Sequence, residues 1–557
     1  NDTPVKSTEF RRVYKALHAP HIATATATLI PSRVTKTKDK MRLSLLLLGL
    51  LAPSLILAAD PCNPRYYPDG MVCVCDELWC DTIDPLTPTP NGIVQIFESD
   101  RDGNKRFVRR LQSFNGTEDP VGQVWNVILQ PTTLHQEMLG IGGSFSDAAA
   151  LNLGRLSPKM LRDAYTSFYG ATGAEFALGR ITISGSDFST RPYSYDDVAE
   201  DIGLDSFGLV DEDLLFKIPQ LKLAKELAAQ PVKWYGSSWA PPAWMKTNGI
   251  VNGNGTLRDG PGSAIWESYS QYLVKFLDAY KAEGVDLWGM TVQNEPMTGF
   301  SETFPWNTCG FTAAMERDFI VQHLGPNLRS AGYNTPTNFS LMILDHDRVH
   351  VQNWTETILA DPVSNEFVAG TGVHWYGSDS VPVSVYDEIV ARFNKFVLLT
   401  EASMVFGEDP VGLGSWYLAE TYMQDIASTT QHSVAGWTDW NLALNTSGGP
   451  TWAGVSERSA PIIVSDDATE FYKTPMYYAL AHWSKFVVPG SRRIATVPVF
   501  PGTSDFRVTA FLRPDGSVAI VSYNMFEDDQ VLNLTVPNKG TIKIRVGAKS
   551  FNSYLYY

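Results

Sequence analysis

The chain has 557 residues, of which 44% are apolar and 19% charged, so it is long enough for more than one domain and apolar enough to bury large cores. This composition excludes a disordered polymer. The formal net charge of −16 argues against nucleic-acid binding, which requires a basic surface. The aromatic content of 12% suits either carbohydrate binding or a large core, and composition does not separate these two.

The N-terminal region has the pattern of a leader followed by a signal peptide. Met41 is a plausible initiator, and the positive charge of Arg42 precedes an apolar run, residues 43–58, that ends in small residues. These are the features of a secretory signal peptide. We expect residues 41–59 to be removed during secretion, with an uncleaved membrane anchor as the alternative. Residues 1–40 are basic and Thr-rich and are predicted to be an unstructured leader.

Asn-x-Ser/Thr sequons lie downstream of the predicted signal peptide and, together with it, support passage through the secretory pathway. The six asparagines are Asn115, Asn254, Asn338, Asn353, Asn445 and Asn533.

Four of the five cysteines, Cys62, Cys73, Cys75 and Cys80, lie within 19 residues. In an oxidising compartment such a cluster is a local disulfide framework. Cys73 and Cys75 are too close in sequence to pair comfortably with each other, which favours Cys62–Cys73 together with Cys75–Cys80. A four-cysteine zinc site is the alternative, although Cys-x-Cys is not the usual zinc spacing. Cys309 is left over and is predicted to be a free thiol.

Strand-like and helix-like segments alternate from Gly140 onward. The clearest predicted strands are 178–184, 231–239, 368–376 and 434–440, and the clearest helices are 214–229 and 266–282. Such alternation over ~300 residues indicates a (β/α)8 barrel.

Strand patterns without helices flank this region. They lie at 92–134 on one side and at 509–512, 518–523 and 531–536 on the other. Pro514-Asp515-Gly516 is predicted to form a hairpin turn. We expect the N-terminal strands to complete an all-β domain with the C-terminal ones, because a sheet of three or four strands alone would expose its edges.

Two apolar runs each end at a glutamate. Residues 287–294 precede Glu295, and residues 396–400 precede Glu401. A carboxylate at the carboxyl end of a barrel strand points into the site where barrel enzymes carry out chemistry, and a retaining glycosidase needs an acid/base and a nucleophile of this kind. The 106 residues that separate the two glutamates would hold about three β/α units of ~30 residues each. This spacing predicts that the two glutamates follow strands four and seven of the barrel. It does not indicate which glutamate has which role. Surface glutamates at strand ends are the alternative.

Other side chains at predicted strand ends suit a sugar. Asp187 can accept two sugar hydroxyls, and Trp239 can cover a sugar face, although turn capping and core packing are the alternatives for each. His374 and Tyr376 follow a further strand and can line the same opening. Asn294, beside the first glutamate, can hydrogen-bond a sugar 2-hydroxyl.

The sequence predicts no metal and no cofactor. The chain has nine His and no His-Glu-x-x-His motif. The His-rich stretch 345–350 is interpreted as loop polarity rather than as a ligand set. The sequence also lacks the Gly-x-Ser-x-Gly elbow of many serine hydrolases.

Several of these stretches together resemble the acid β-glucosidases, or glucosylceramidases, of glycoside hydrolase family 30. The resemblance runs from about Pro61 to the C-terminus. It is carried by the cysteine cluster, by Asn294-Glu295-Pro296 and by residues 142–150, 244–249, 373–376, 436–445 and 461–464.

The resemblance implies an α/β fold with a (β/α)8 TIM barrel, an Ig-like β-sandwich and a small Cys-bearing antiparallel β domain. The predicted domains are a small disulfide-containing domain over 60–87 and 442–475, a sandwich over 88–135 and 490–557, and a catalytic barrel over 136–441 and 476–489.

The resemblance also assigns roles to individual residues. It implies Glu295 as the acid/base and Glu401 as the nucleophile. The implied sugar contacts are Asp187, Trp239, Asn294 and Trp440, with Arg180, Phe188, His374 and Tyr376 near them.

The implied function is hydrolysis of glucosylceramide to glucose and ceramide by a retaining β-glucosidase, as a step of sphingolipid catabolism. The enzyme is expected in the lysosome, with secretion as the alternative. It is expected to act at a membrane surface, where a saposin-type activator and anionic lipids are its partners. One alternative is a family 30 hydrolase of another β-glycoside, such as a β-1,6-glucan or a xyloside. The other is an inactive carbohydrate- or lipid-binding protein, against which the presence of both glutamates argues.

The sequence departs from the family pattern near the expected site. Ser403 stands where the family often has a cysteine, a change that should be tolerated. The segment 452–458 lacks the expected Asn and aromatic residue, which leaves the lipid or aglycone preference open. The sequon at Asn445 lies beside the same opening, where a glycan would crowd the site, so we expect it to be unoccupied.

Overall fold

The computed structural model describes residues 59–116, 119–377, 380–404, 410–454, 458–499 and 502–557. The predicted leader, and the predicted signal peptide apart from Ala59, lie outside the described residues. Among the described residues, no helix combines the length and the apolar character that crossing a membrane requires.

Strands form in three groups along the chain. The first group is β1 Pro64–Tyr67, β2 Gly70–Asp76, β3 Ile93–Asp100, β4 Val108–Ser113 and β5 Gln123–Glu137. The second is β6 Gly140–Phe145, β7 Leu178–Ile183, β8 Lys233–Ser238, β9 Gly289–Thr291, β10 Ser340–Asp347, β11 Val368–His374, β12 Phe396–Glu401 and β13 Val434–Asp439. The third is β14 Ala443–Asn445, β15 Ile462–Val464, β16 Glu470–Lys473, β17 Arg492–Val497, β18 Phe506–Leu512, β19 Val518–Asn524, β20 Gln530–Val536, β21 Gly540–Val546 and β22 Ser550–Tyr556.

Helices are concentrated between the strands of the second group. The α-helices are α1 Asp147–Gly154, α2 Pro158–Tyr169, α3 Ile218–Leu227, α4 Ala264–Ala282, α5 Ala313–Phe319, α6 Gly325–Ser330, α7 Val351–Ile358, α8 Pro362–Asn365, α9 Val385–Phe393, α10 Trp416–Gln431 and α11 Pro475–Ser484. Two π-helical turns, Glu212–Lys217 and Ile320–Leu324, are continuous with α3 and with α5 and α6. Three 3-10 turns are Ala243–Met245, Thr298–Phe300 and Arg348–His350.

Strands β6 to β13 close into an eight-stranded parallel barrel, so the predicted fold class is confirmed. Most of their residues are buried, as expected for strands that pack on side chains inside the barrel and on helices outside it. The closure brings backbones very close: a Cβ on Gly142 would lie 1.9 Å from the carbonyl oxygen of Leu178, so β6 requires glycine there. Glu401 is the last residue of the seventh barrel strand, and Glu295 follows the fourth, as predicted.

A nine-stranded sheet combines strands from both ends of the described chain, in the order β21-β20-β5-β17-β18-β19-β22-β3-β4. It encloses a core of its own, which includes Ile96, Leu129, Ile520 and Tyr554. The predicted hairpin joins β18 to β19, and its Gly516 has a φ of +82°, a conformation that glycine adopts without a Cβ clash. The sequence pattern missed β17, β21 and β22.

The third sheet has the order β1-β2-β16-β15-β14 and carries the cysteine cluster. Disulfides join Cys62 to Cys73 and Cys75 to Cys80, as predicted, so these thiols are not available to zinc. The sheet is not wholly antiparallel, because β14 and β15 pair in parallel. Cys309 is a free, buried cysteine.

The small sheet packs towards the carboxyl ends of the barrel strands. Apolar side chains from it, among them Val72 and Ile463, belong to one buried cluster with Phe188, Trp239 and Trp440 of the barrel. The sheet therefore supports the aromatic wall of the candidate site.

Candidate active site

Glu401 ends β12 and lies 5% exposed at the carboxyl end of the barrel. The guanidinium of Arg180, on β7, donates to its Oε2 through a short hydrogen bond. The Nδ1 atom of His374, at the end of β11, lies 3.7 Å from its Oε1. The side chain is thus held between a guanidinium and an imidazole.

Glu295 is placed by an irregular turn rather than by a strand. The sequence pattern predicted a strand that runs to this residue, but β9 ends at Thr291. The reason is local backbone geometry: Glu295 has a φ of +44°, which is incompatible with a strand, and its N–H donates to the carbonyl oxygen of Asp345 at 2.9 Å. The turn directs the side chain towards His374, whose Nδ1 lies 3.4 Å from Oε1 of Glu295.

The two glutamates face each other across His374. A carboxylate oxygen of each and a ring nitrogen of His374 all lie within 4.8 Å of one another. Retaining glycosidases have their two carboxyl groups ≈5–5.5 Å apart, whereas inverting enzymes need ≈6.5–9.5 Å to admit a water. The separation therefore suits direct attack by one carboxylate on a sugar.

His374 gives this group of three side chains its protonation pattern. Burial opposes a charge on the ring, but Glu401, Asp345 and Glu295 outweigh burial and raise the pKa of His374 to about 10. Burial also opposes a charge on Glu295 and by itself would raise the pKa of this residue. The protonated His374 and the charge of Arg180 instead hold the pKa of Glu295 below its ordinary value.

A metal ion is poorly suited to this site. Among the described residues two groups offer three close donor atoms, and one of them includes the disulfide-bonded Cys75 and Cys80. The other group is Glu295, His374 and Glu401. The raised pKa of His374 keeps its ring protonated, and Glu401 is already paired with Arg180. The donor set is therefore better suited to moving a proton than to binding a cation.

Asp345 lies directly beneath the two glutamates and is fully buried. Its Oδ1 accepts hydrogen bonds from Thr400 at 2.6 Å and His374 Nε2 at 3.0 Å, and its Oδ2 accepts from Thr291 at 2.7 Å and Arg180 at 2.8 Å. Burial opposes its charge, but Arg180 and then His374 hold the pKa of Asp345 well below its usual range. One buried carboxylate therefore fixes both cationic groups of the site.

A cavity of about 350 Å³ opens above these residues, within the size range of small-molecule sites. It is lined by Asp187, Trp239, Asn294, Glu295, Thr298, Phe304, Trp306, His346, Asp347, Tyr376, Glu401, Trp440 and Arg458. Both predicted catalytic residues and five of the eight predicted sugar contacts are among them.

The other three predicted contacts lie behind the cavity wall. Arg180 stacks beneath Trp239 and Trp440, with 4.8 Å and 5.5 Å between its guanidinium carbon and the two ring centroids. Phe188 packs edge-on against Trp440, and His374 lies behind the glutamates. All three are fully buried, so they hold residues of the wall rather than line the cavity.

Two aspartates on the cavity wall have raised pKa values. Burial, followed by the charges of Glu401 and Glu295, raises the pKa of Asp187 to about 8. Burial and the same two glutamates, against the opposing charge of His374, raise the pKa of Asp347 to about 7. At acidic pH both groups are therefore able to donate a hydrogen bond to a sugar hydroxyl.

The interpretation of 345–350 as loop polarity is wrong. Asp345, His346 and Asp347 belong to β10, and the last two line the cavity. A signal was available, because the run Leu341-Met342-Ile343-Leu344 ends at a carboxylate in the same way as the run before Glu401. Phe304, Trp306 and Arg458 lie on loops that carry no such pattern.

The segment 452–458 borders the cavity, as predicted. Arg458 lines it, and the indole N–H of Trp452 donates to the carbonyl oxygen of Ser186 at 2.8 Å, beside Asp187. Residues 455–457 lie outside the described ranges. Arg458 thus brings a positively charged side chain to the cavity wall.

Two family models match the chain. The one described as the glycosyl hydrolase family 30 TIM-barrel domain matches residues 138–487. The chain belongs to glycoside hydrolase family 30. The model described as the glycosyl hydrolase family 30 beta sandwich domain matches residues 490–554, the span of the C-terminal strands.

Three named proteins resemble most of the chain. It is 36% identical over 510 residues to the lysosomal acid glucosylceramidase of Mus musculus, with 91% of this chain and 97% of that protein covered. It is 38% identical over 448 residues to the putative glucosylceramidase 3 of Caenorhabditis elegans, with 79% and 84% covered. The solved structure of the endo-β1,6-glucanase BT3312 superposes with a TM-score of 0.72 at 25% identity and covers 83% of this chain and 99% of that one.

Membership in family 30 makes the chain a retaining glycoside hydrolase, since retention is a general property of the family. The separation of Glu295 and Glu401 agrees with that stereochemistry.

Proposed function

We propose that this family 30 hydrolase cleaves the β-glucosidic bond of glucosylceramide, with Glu401 as nucleophile and Glu295 as acid/base. The observation that carries the proposal is the pair of carboxylates within 4.8 Å of each other in one cavity. The substrate is supported by the relatives named glucosylceramidases, which match most of the chain.

In the first step a Glu401 oxygen attacks the anomeric carbon of glucose while the bond from that carbon to the ceramide oxygen breaks. The leaving oxygen takes the proton of Glu295, so ceramide departs as a neutral alcohol. In the second step water attacks the same carbon, gives a proton to Glu295 and displaces Glu401, which releases glucose.

The charges around the site support a reaction that proceeds at acidic pH. With His374 protonated, the cations of Arg180 and His374 face the three carboxylates of Asp345, Glu401 and Glu295, which leaves one negative charge in excess. One further proton neutralises the group. Glu295 faces the cavity and its pKa lies below the ordinary value, so the proton is available to a substrate only at acidic pH.

We propose that the cavity wall binds the glucose. Trp239 and Trp440, stacked 4.9 Å apart, and Asp187 line the cavity beside the two glutamates. Asn294 accepts a hydrogen bond from Arg180 at 2.8 Å and is next to Glu295 in the chain; the proposed role of its amide is a hydrogen bond with the sugar 2-hydroxyl.

Location and partners form part of the proposal. We propose that the enzyme acts in the lysosome at a membrane surface, with a saposin-type activator and anionic lipids, and that secretion is the alternative destination. Both disulfides suit an oxidising compartment. Four of the six sequon asparagines, Asn115, Asn254, Asn338 and Asn353, are exposed and open to glycosylation.

The test is turnover of glucosylceramide at pH ~5, where a carboxyl of ordinary pKa is partly protonated, with and without anionic lipid. Glu401→Gln is expected to lower turnover by orders of magnitude in a folded protein, and near-normal turnover would refute the assignment. Covalent labelling by a cyclitol epoxide, present in the wild type and absent in Glu401→Gln, separates an enzyme from an inactive binding protein.

A β-1,6-glucan is the second candidate substrate, favoured by the similarity to the solved endo-β1,6-glucanase. Side-by-side assays on glucosylceramide and on β-1,6-glucan distinguish the two. If the glucan is turned over faster, the substrate assignment changes from the lipid to the glucan, and the proposed roles of both glutamates stay the same.

A further inference from the structure

Strand β10 ends in a bulge directly beneath the two glutamates. Leu344 pairs with Gly372 of β11 and His346 pairs with Val373, so Asp345 is an extra residue without a partner. Leu344 and Asp345 both have positive φ angles, +74° and +54°. This conformation is unfavourable for residues other than glycine and persists only where surrounding groups hold it.

Glu316, on α5, holds the bulge from the helix side. Its Oε1 accepts the backbone N–H of Leu344 at 3.0 Å, and its Oε2 accepts the indole N–H of Trp354, on α7, at 2.7 Å. Glu316 is fully buried, and Trp354 is 1% exposed. Both carboxyl oxygens therefore accept a hydrogen bond, one from the strained strand end and one from a neighbouring helix.

The other side of the bulge faces Glu295. The carbonyl oxygen of Asp345 accepts the N–H of Glu295 at 2.9 Å, and Glu295 itself has a positive φ. The carboxylate of Asp345 also holds Arg180 and His374. A shift of the bulge would thus move the turn that carries Glu295 and the two cations that face the glutamates.

We propose that Glu316 is a positioning residue for the acid/base: by fixing the bulge at Leu344 and Asp345, it holds Glu295 where the glycosidic oxygen can take its proton. The inference rests on the proposed role of Glu295. Glu316 does not line the cavity, so its effect passes through the backbone contacts described above.

The leaving group of the substrate separates positioning from mere stabilisation. An alkyl glucoside needs the proton of Glu295 as its alkoxide leaves, whereas 2,4-dinitrophenolate leaves without one. A misplaced Glu295 therefore slows octyl β-glucoside much more than 2,4-dinitrophenyl β-glucoside. A smaller fraction of folded protein slows both by the same factor. The value of kcat/KM is the one to compare, because it reports the steps up to cleavage of the glycosidic bond.

Glu316→Leu removes both acceptors and is expected to raise the ratio of kcat/KM for the dinitrophenyl substrate to that for the octyl substrate by about 10- to 100-fold, the range expected when a catalytic group moves by about 1 Å. Asp425→Leu is the matched control. It removes another carboxylate, half-buried on α10, that accepts an indole N–H, from Trp437 at 2.8 Å, and that is not part of the bulge. Its ratio is expected to stay within about twofold of the wild type.

Glu316→Asp provides a second test if the leucine variant does not fold. The shorter side chain remains acidic but cannot reach both donors, so the ratio must rise here too. A folded Glu316→Asp or Glu316→Leu with the wild-type ratio would overturn the proposal. Glu295→Gln, measured beside them, distinguishes the failures: if this variant also keeps the wild-type ratio, the assigned role of Glu295 is wrong, and otherwise only the role of Glu316 is wrong.

Discussion

Asp345→Asn tests the charge network beneath the cavity. The amide has nearly the shape of the carboxylate, but it has no charge and one of its two heteroatoms is a donor. The hydroxyls of Thr291 and Thr400 can turn and accept a hydrogen bond, whereas the guanidinium of Arg180 cannot. The amide nitrogen is therefore expected to face His374, whose ring must lose its Nε2 proton to accept from it.

The size of the effect follows from the charges that are lost. His374 has a pKa of about 10 in the folded protein against an ordinary value of 6.5, which at 1.36 kcal/mol per unit sets an upper limit of about 5 kcal/mol on the contribution of its charge. Removing one partner of a buried ion pair costs roughly 3–5 kcal/mol. We therefore expect Asp345→Asn to lower the free energy of unfolding by about 3–5 kcal/mol.

This loss depends on pH in a defined direction. The folded pKa of Asp345 lies below its unfolded value, so its contribution is present above pH ~3.9 and disappears as the pH falls. The folded pKa of His374 lies above its unfolded value, so its contribution is complete below pH ~6.5 and disappears as the pH rises through about 10. The difference between wild type and variant is therefore largest between pH ~4 and ~6.5.

Urea unfolding of both proteins at pH 5.5 and 9.5 measures this difference. In a His374→Gln background the substitution of Asp345 should cost the same at both pH values, because the titrating partner is absent. An equal cost at pH 5.5 and 9.5 in the wild-type background would refute the argument.

Two further predictions concern side chains with raised pKa values. Asp187 is neutral below its pKa of about 8, so at pH 5 Asp187→Asn should bind a neutral gluco-configured inhibitor almost as tightly as the wild type does. At pH 9 calorimetry should show weaker binding by the wild type but not by the variant. Equal weakening of the variant would contradict the role of Asp187 titration. Burial raises the pKa of Cys309 to about 12, so a chromogenic disulfide reagent at pH 8 should detect no reactive thiol in the folded protein. After unfolding without reductant it should detect one thiol per chain. Additional thiols would contradict the disulfide pairing.

Regular strands could be predicted from the sequence, and with them Glu401. Its apolar run, Val397-Leu398-Leu399, forms β12, and the carboxylate ends that strand in the expected place. Glu295 could be predicted as a site residue but not as a residue of a turn, because a positive φ at a glutamate leaves no trace in hydrophobic periodicity. Asp345 had the same pattern as Glu401 and was missed because polar residues follow it.

Residues on the loops of the cavity could not be found from periodicity. Phe304, Trp306 and Arg458 reach the site through turns whose course depends on tertiary contacts, and no local propensity specifies such contacts. The roles assigned to Arg180 and Phe188 came from the resemblance to a family, whereas the strand pattern had also indicated His374. Arg180 and Phe188 are buried behind the wall, so a search for exposed polar groups at strand ends does not reveal them.

The small disulfide-bearing sheet has a consequence for how the enzyme is made. It joins β1 and β2, which leave the ribosome early, to β14, β15 and β16, which emerge only after the last barrel strand. Its side chains back the indoles of Trp239 and Trp440. A nascent chain that ends between Asp439 and Lys473 therefore has all eight barrel strands but not the complete sheet that supports Trp239 and Trp440. Glucosidase activity should appear only once synthesis has passed Lys473.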